Sequence, residues 1–339
     1  MVRRFFPCRL AATPVLFLLL LGSFGRPLAG TEPDHELRFP RALGGPVAVR
    51  DAFPLARFRL GPTPTSASTL GAGQSSLRTS IDWSTTHAEH SADFIFDSES
   101  RLLELAGAHG LTDGLEASAR IGYLWRGGGA FDSTVNGFHD LFGLPDGGRD
   151  DSPSDRFLVN GFTRQGFYRE LSDGGSVTDL VVGLKQRLSE GDAVCVSLQG
   201  DLGIPLAREG FSGESPEGAL QVLLDHHGER HGFSCGVGGT VSADTHVDGF
   251  EFTRYRLHGF AAFEWIWSAR LASVLQVQGA NRLLRNVESF PDVSSYVVLA
   301  TRWRWSERAA LEMTLVENLW NQQATSDFGL RLGLTLLFP

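Results

Sequence analysis

The stretch Phe328-Gly329-Leu330-Arg331-Leu332-Gly333-Leu334-Thr335-Leu336-Leu337-Phe338 ends one residue short of the C-terminus. Phe328, Leu330, Leu332, Leu334, Leu336 and Phe338 alternate with Gly329, Arg331, Gly333, Thr335 and Leu337. Strict two-residue alternation puts one set on each face of a β-strand. One face is wholly aromatic and aliphatic, and the other is mostly small or polar. A soluble edge strand can show such a pattern, but it rarely closes a chain on a terminal aromatic.

The other end of the chain gives this pattern its context. Arg3, Arg4 and Arg9 precede an apolar run from Ala11 to Phe24, and Pro27-Leu28-Ala29-Gly30 supplies small residues for cleavage near Ala29 or Gly30. Residues 1–30 are therefore expected to be a signal peptide, because the apolar run falls short of the ~20 residues of a spanning helix. Thr31 follows Gly30, so no cysteine is there to receive a lipid. Removing residues 1–30 takes four arginines and no acid, which moves the net charge from −9 to −13. That balance argues against nucleic acid as a partner. Twenty-four Phe and seven Trp exclude a disordered chain, and three cysteines are too few for a disulfide scaffold.

Beyond the leader, no stretch approaches 18 consecutive apolar residues, so a membrane-inserted chain must be a closed barrel that leaves no open sheet edge in lipid. The C-terminal pattern resembles that of bacterial outer-membrane barrels, whose final aromatic is read by the insertion machinery; here Pro339 follows Phe338. Segments of about ten alternating residues, the length of a tilted membrane strand, fall at 75–84, 98–108, 114–126, 176–188, 192–204, 218–227, 231–241, 252–265, 269–281, 294–305, 308–319 and 327–338. The expected fold is all-β: a closed antiparallel transmembrane β-barrel of about twelve strands over 75–339. Short turns alternate with longer loops at 85–97, 127–175, 205–217, 242–251, 282–293 and 320–326, which places both termini on the periplasmic side. Within the long outer loop 127–175, Phe131–Phe142 reads as a short amphipathic helix, and Phe157–Leu171 as either a strand or a hairpin arm above the rim. Residues 31–74 form a periplasmic lead-in or plug, with Leu55, Phe58 and Leu60 available to dock in the lumen.

The same alternation assigns faces. Leu115, Ala117, Ala119, Ile121, Tyr123 and Trp125 point out, as do Tyr255, Leu257, Ala261, Phe263, Val297 and Leu299. Trp265, Trp303 and Trp305 cluster at the periplasmic strand ends, as in an aromatic girdle. Lumen-lining candidates are Glu116, Arg120, Lys185, Asp201, Arg254, Arg256, Glu264, Arg302, Arg304, Glu312 and Arg331, accompanied by Arg78, Asp82, Asp179, Arg270 and Arg308. These residues describe either an arginine-lined pore or a salt-bridged interior that fills a narrow lumen or holds the N-terminal segment. Cys195 and Cys235 fall on strands that are not expected to be neighbours, which argues against a bridge. Strand glycines such as Gly236 can make room for large inward side chains.

In the long loop, His139 with Asp140 offers a general base but no adjacent nucleophile. Asp146, Asp150, Asp151 and Asp155 offer oxygen ligands for calcium without EF-hand spacing; no other cofactor is expected. Gly232-Phe233-Ser234-Cys235-Gly236 matches G-x-S-x-G but continues into a strand instead of turning into a helix. His226, His227, Glu229 and His231 cluster in a turn whose imidazoles could take zinc or copper. Gly71-Ala72-Gly73-Gln74-Ser75-Ser76 lacks the lysine of a phosphate loop.

Phe96-Asp97-Ser98-Glu99, His109-Gly110-Leu111-Thr112-Asp113, Gly127–Asp132 and Gly137–Asp150, the last including His139, Asp140, Asp146, Arg149 and Asp150, together resemble a bacterial domain-of-unknown-function family, number 3187. The resemblance spans most of the chain beyond the leader and implies an exported outer-membrane barrel. The leading functional expectation is a porin-like channel for small polar solutes, partnered by outer-membrane lipid and the insertion machinery. The alternatives are a membrane-embedded hydrolase of lipid or lipid A, and a closed structural barrel.

Overall fold

The computed structural model describes residues 43–90, 93–129, 131–143, 153, 155–162, 168–191, 193–247, 249–318 and 324–339. The strands in chain order are β1 (Ser75–His90), β2 (Phe94–Thr112), β3 (Leu115–Gly127), β4 (Leu158–Phe162), β5 (Tyr168–Glu170), β6 (Gly174–Val177), β7 (Leu180–Glu190), β8 (Val194–Ile204) and β9 (Glu217–His227). They continue with β10 (His231–Ser242), β11 (His246–Val247), β12 (Phe250–Glu251), β13 (Tyr255–Ser268), β14 (Leu271–Asn281), β15 (Val293–Ser306), β16 (Ala309–Asn318) and β17 (Phe328–Phe338). Helix α1 spans Asp132–Phe142, where the apolar spacing places it.

Twelve of these strands form a closed antiparallel ring in the order β1-β2-β3-β7-β8-β9-β10-β13-β14-β15-β16-β17. The C-terminal strand closes it against β1, in register from Ser75↔Phe338 to Thr85↔Phe328. Closure pairs each ring strand on both sides and leaves no free edge around the wall. One end of the barrel carries tight turns at 113–114, 228–230, 269–270 and 307–308, and the other carries longer connections. We call these the turn end and the loop end.

The largest departure from the alternation pattern is at the first hairpin. The sequence places a loop at 85–97, whereas β1 runs to His90 and β2 begins at Phe94, in continuous register. The pattern fades there because both faces are covered: Thr85, Thr86, His87, Ala88, Phe94 and Phe96 are all buried. Where β3 ends at Gly127, β4 takes the vacated edge of β2 at Phe94–Asp97, and β5 pairs with β4. Of Phe157–Leu171, the described strands β4 and β5 thus form a paired arm beyond the ring. Strand β6 continues the line of β7 along β3, after a break at Thr178 and Asp179 that Thr178 bridges by donating its N–H to the Gly122 carbonyl at 2.8 Å.

The outward face of the ring is apolar and exposed all the way around, as at Leu105, Leu220, Val237, Leu257, Leu275 and Leu332. Soluble monomers rarely expose contiguous apolar patches above a few hundred Å². Trp265, Trp267, Trp303 and Trp305 form a band at the turn end, with ring centroids 6.0 Å and 6.5 Å apart within each pair. The inward face combines small, polar and charged side chains with buried apolar ones such as Val274, Val298 and Leu223. On β10, for example, Gly236 leaves the space into which the Phe260 ring packs.

Candidate functional site

The lumen is occupied by the chain's own residues 43–74, which rise along one side of the barrel and return along another. Leu43 starts at the turn end against Ala272 and Ala310, and Val47 and Val49 pack on Ala262, Val274 and Val298 of the inner wall. Phe53, Leu55 and Phe58 then join Phe94, Phe96, Phe250, Phe252 and Phe290 in an apolar cluster at the loop end. The returning limb places Ala67 against Cys195 and Leu223, and Leu70 near the turn end again. This hairpin is not a strand of the sheet, so most of its backbone groups must find partners elsewhere.

The inward side chains supply those partners. Arg302 is held by Glu264 at 3.0 Å and Glu312 at 2.7 Å, and it donates to the carbonyls of Gly45 and, at 2.9 Å, Pro46. Gly45 adopts a left-handed φ of 89°, which lets its N–H reach Glu264 at 3.2 Å while its carbonyl faces Arg302. Gln276 brackets Val47, accepting from its N–H at 2.8 Å and donating to its carbonyl at 2.9 Å. Arg331 donates to the Ala48 carbonyl and pairs with Asp82 at 3.5 Å. Arg256 pairs with Asp51 at 3.5 Å. Burial pushes the Asp51 carboxyl above its usual range, opposed by the Arg256 charge and the Phe53 N–H.

On the returning limb, Arg59 pairs with Glu217 at 2.9 Å and lies over the Phe252 ring. Arg120 donates to Thr63 Oγ1 and to the Gly61 carbonyl. Asp225 accepts from Ser66 Oγ and from the N–H groups of Ala67 at 2.7 Å and Ser68 at 3.4 Å. Lys185 pairs with Glu116 at 3.0 Å and donates to the Ser66 carbonyl, while Glu116 accepts the Leu70 N–H at 2.9 Å. Between the two limbs, toward the turn end, an unfilled space of about 390 Å³ remains.

Of the lumen candidates read from the sequence, Glu116, Lys185, Asp201, Arg256, Glu264, Arg302 and Arg331 are buried on the inner face, and Arg120, Arg304 and Glu312 are half-buried there. Arg254, Arg270 and Arg308 are exposed instead. Arg254 precedes β13 and lies over the Tyr255 ring at 5.9 Å, while the other two sit in turns. Face parity loses its meaning where the strand ends. Glu217, Asp225, Gln276 and Glu104 were not singled out by sequence, although their inward parity on β9, β14 and β2 was the available signal.

The motif residues are placed elsewhere. His139 and Asp140 lie on α1, with Asp140 exposed; Asp146, Arg149, Asp150 and Asp151 lie outside the described residues. Asp155 is exposed and donates its N–H to Asp132 at 2.8 Å. Ser234 is buried within β10, opposite Asp225 and Ala262, and the strand runs straight through it, so the G-x-S-x-G match has no nucleophile elbow. His226 and His231 stack at 6.2 Å, and among the described residues no three His, Cys, Asp or Glu are grouped to hold a metal. Cys195 and Cys235 are free, with β9 between their strands.

A closed twelve-stranded barrel with a charged inner wall is the architecture of outer-membrane channels and porins. The chain belongs to the family described as protein of unknown function (DUF3187), whose model matches residues 41–338. Among solved structures it is similar to an outer membrane channel from Pseudomonas putida F1, at 14% identity and a TM-score of 0.56, covering 81% of this chain and 99% of that one. It also matches the NanC porin at 9% identity and a TM-score of 0.46, covering 77% of this chain and 98% of that one. The P. putida toluene transporter TodX matches at 9% identity and a TM-score of 0.39, over 79% and 90% of the two chains. Curated proteins give no match.

Proposed function

We propose that this protein is a plugged channel of the bacterial outer membrane that passes small polar solutes when residues 43–74 shift. The observation that carries this reading is how the segment is held. Wall side chains grip its backbone through hydrogen bonds, as Gln276 grips Val47 and Asp225 grips Ala67, and the segment contributes no strand to the ring. It can therefore move without opening the sheet. The exposed apolar belt and the tryptophan band support insertion in lipid, with the turn end toward the periplasm and Phe338 presented to the insertion machinery.

Cys195 Sγ lies 3.4 Å from the Ala67 carbonyl, which gives a direct test. In a Cys235→Ser background, Ala67→Cys can be oxidised onto Cys195 to tether the segment to β8. The reduced protein should pass current across a planar bilayer, and oxidation should abolish it. Equal current in both states overturns the plug, and silence in both supports the second reading, a closed structural barrel. That reading is favoured by the apolar cluster that seals the loop end.

A further inference from the structure

Three neighbouring strands set one row of inward side chains at a single level: Arg78 on β1 lies opposite Ala106 on β2, and Ala106 lies opposite Arg120 on β3. One step toward the turn end, the row is Ser76, Ala108 and Ser118. Adjacent strands are spaced about 4.8 Å apart, so the two arginine backbones stand roughly 10 Å apart across a floor of methyl and hydroxyl groups. That floor is one wall of the 390 Å³ space between the limbs of the plug. Its size falls in the range of small-molecule sites.

Glu116, Glu190, Asp201 and Glu312 also line this space, but among the described residues none is in ion-pair contact with Arg78 or Arg120. The carboxylates that act on Arg78 are Glu104, Glu312 and Asp82. Glu312 already holds Arg302 at 2.7 Å and Asp82 holds Arg331 at 3.5 Å, while Glu104 is shared among Arg120, Arg331, Arg50 and Arg78, with Arg50 at 3.9 Å. Arg120 donates to two neutral oxygens, Thr63 Oγ1 and the Gly61 carbonyl. Its acidic neighbours are Glu104 and Asp201; Asp201 lies on β8 and accepts the Gln199 amide at 2.9 Å. The Nε atoms of Arg78 and Arg120 are both buried without a hydrogen-bond partner among the described residues. A buried guanidinium donor left unpaired is costly, and an oxyanion is the partner whose geometry fits it.

We propose that this cavity binds a small organic oxyanion, its carboxylate or phosphate group held between Arg78 and Arg120 above Ala106, on the side away from Asp201. Resting on the channel reading above, the site makes the solute an anion.

Isothermal titration of the full barrel in detergent with succinate, inorganic phosphate and neutral succinamide tests the site. Succinate or phosphate should bind, more weakly as salt rises, and succinamide should not. Arg78→Gln and Arg120→Gln should each weaken binding about tenfold, the loss of one charge-assisted pair, with Arg78→Lys retaining most of it. Arg270→Gln, on an exposed turn, should change nothing. Ala106→Leu fills the floor without altering charge and should also abolish binding, which keeps the test open if an arginine variant fails to fold. Failure of both anions to bind, equal binding of succinamide, or full binding by folded Arg78→Gln and Ala106→Leu overturns the site. Binding is read at equilibrium, so a barrel that binds succinate yet passes no current keeps the site and overturns only transport.

Discussion

At the residue scale, the interior works through charged side chains that do two things at once. Arg302 neutralises Glu264 and Glu312 and also takes the carbonyls of Gly45 and Pro46. Removing one partner of such a buried set costs more than the set contributes, because it leaves like charges facing each other. Arg302→Ala is expected to lower the stability of the barrel by about 3 kcal/mol, read by equilibrium unfolding in urea. Adding Glu264→Gln and Glu312→Gln to that variant should recover part of the loss, since the stranded carboxylates are then gone. Without recovery, the role assigned to Arg302 is wrong. The pairing itself was only half legible in the sequence. Inward parity put Arg302, Glu264 and Glu312 on one face, but they lie on β15, β13 and β16, and only the register of those neighbouring strands, which sets Arg302 opposite Glu312, brings them together.

At the scale of elements, the ring strands were readable because their two faces meet different solvents. Where both faces are covered, as at Thr85–Ala88 and Phe94–Phe96, the alternation disappears and the sequence suggests a loop. The segment 43–74 carries no period at all. Its partners are wall side chains instead of a neighbouring strand, so nothing in its own order marks its path. Leu55, Phe58 and Leu60 hinted at docking but did not reveal the hairpin course. On the returning limb, Asp225 takes one hydroxyl and two backbone N–H groups from Ser66, Ala67 and Ser68. Asp225→Asn weakens charge-assisted bonds that contribute about 1.5–3 kcal/mol each. Hydrogen exchange at Ala67 and Ser68 should therefore quicken by about tenfold or more, while the β9 amides keep their protection. Equal quickening of β9 would mean that the limb and the wall open together, and the plug could not move alone.

At the scale of the whole molecule, the apolar belt and the tryptophan band define a slab. Val237, 65% exposed, sits in mid-strand on β10, opposite Val222 and Gly259. If the belt lies in lipid, Val237→Arg should destabilise the barrel in phospholipid vesicles by about 2–4 kcal/mol, measured by denaturant titration. If the belt faces water, an exposed change of this kind stays within about 0.5 kcal/mol.

By itself, the sequence determined a barrel of twelve strands, the face each strand turns outward, the level of Trp265, Trp303 and Trp305, and a charged inner wall. These are consequences of local periodicity, and a period of two survives in any register. Only the tertiary structure decided that residues 43–74 lie inside the ring. It also decided which charges are spent on holding them, and that Arg78 and Arg120 are left over a floor of alanine and serine. Those facts depend on the register in which strands pair and on where an aperiodic segment finds its hydrogen-bond partners. Both are set by contacts far apart along the chain.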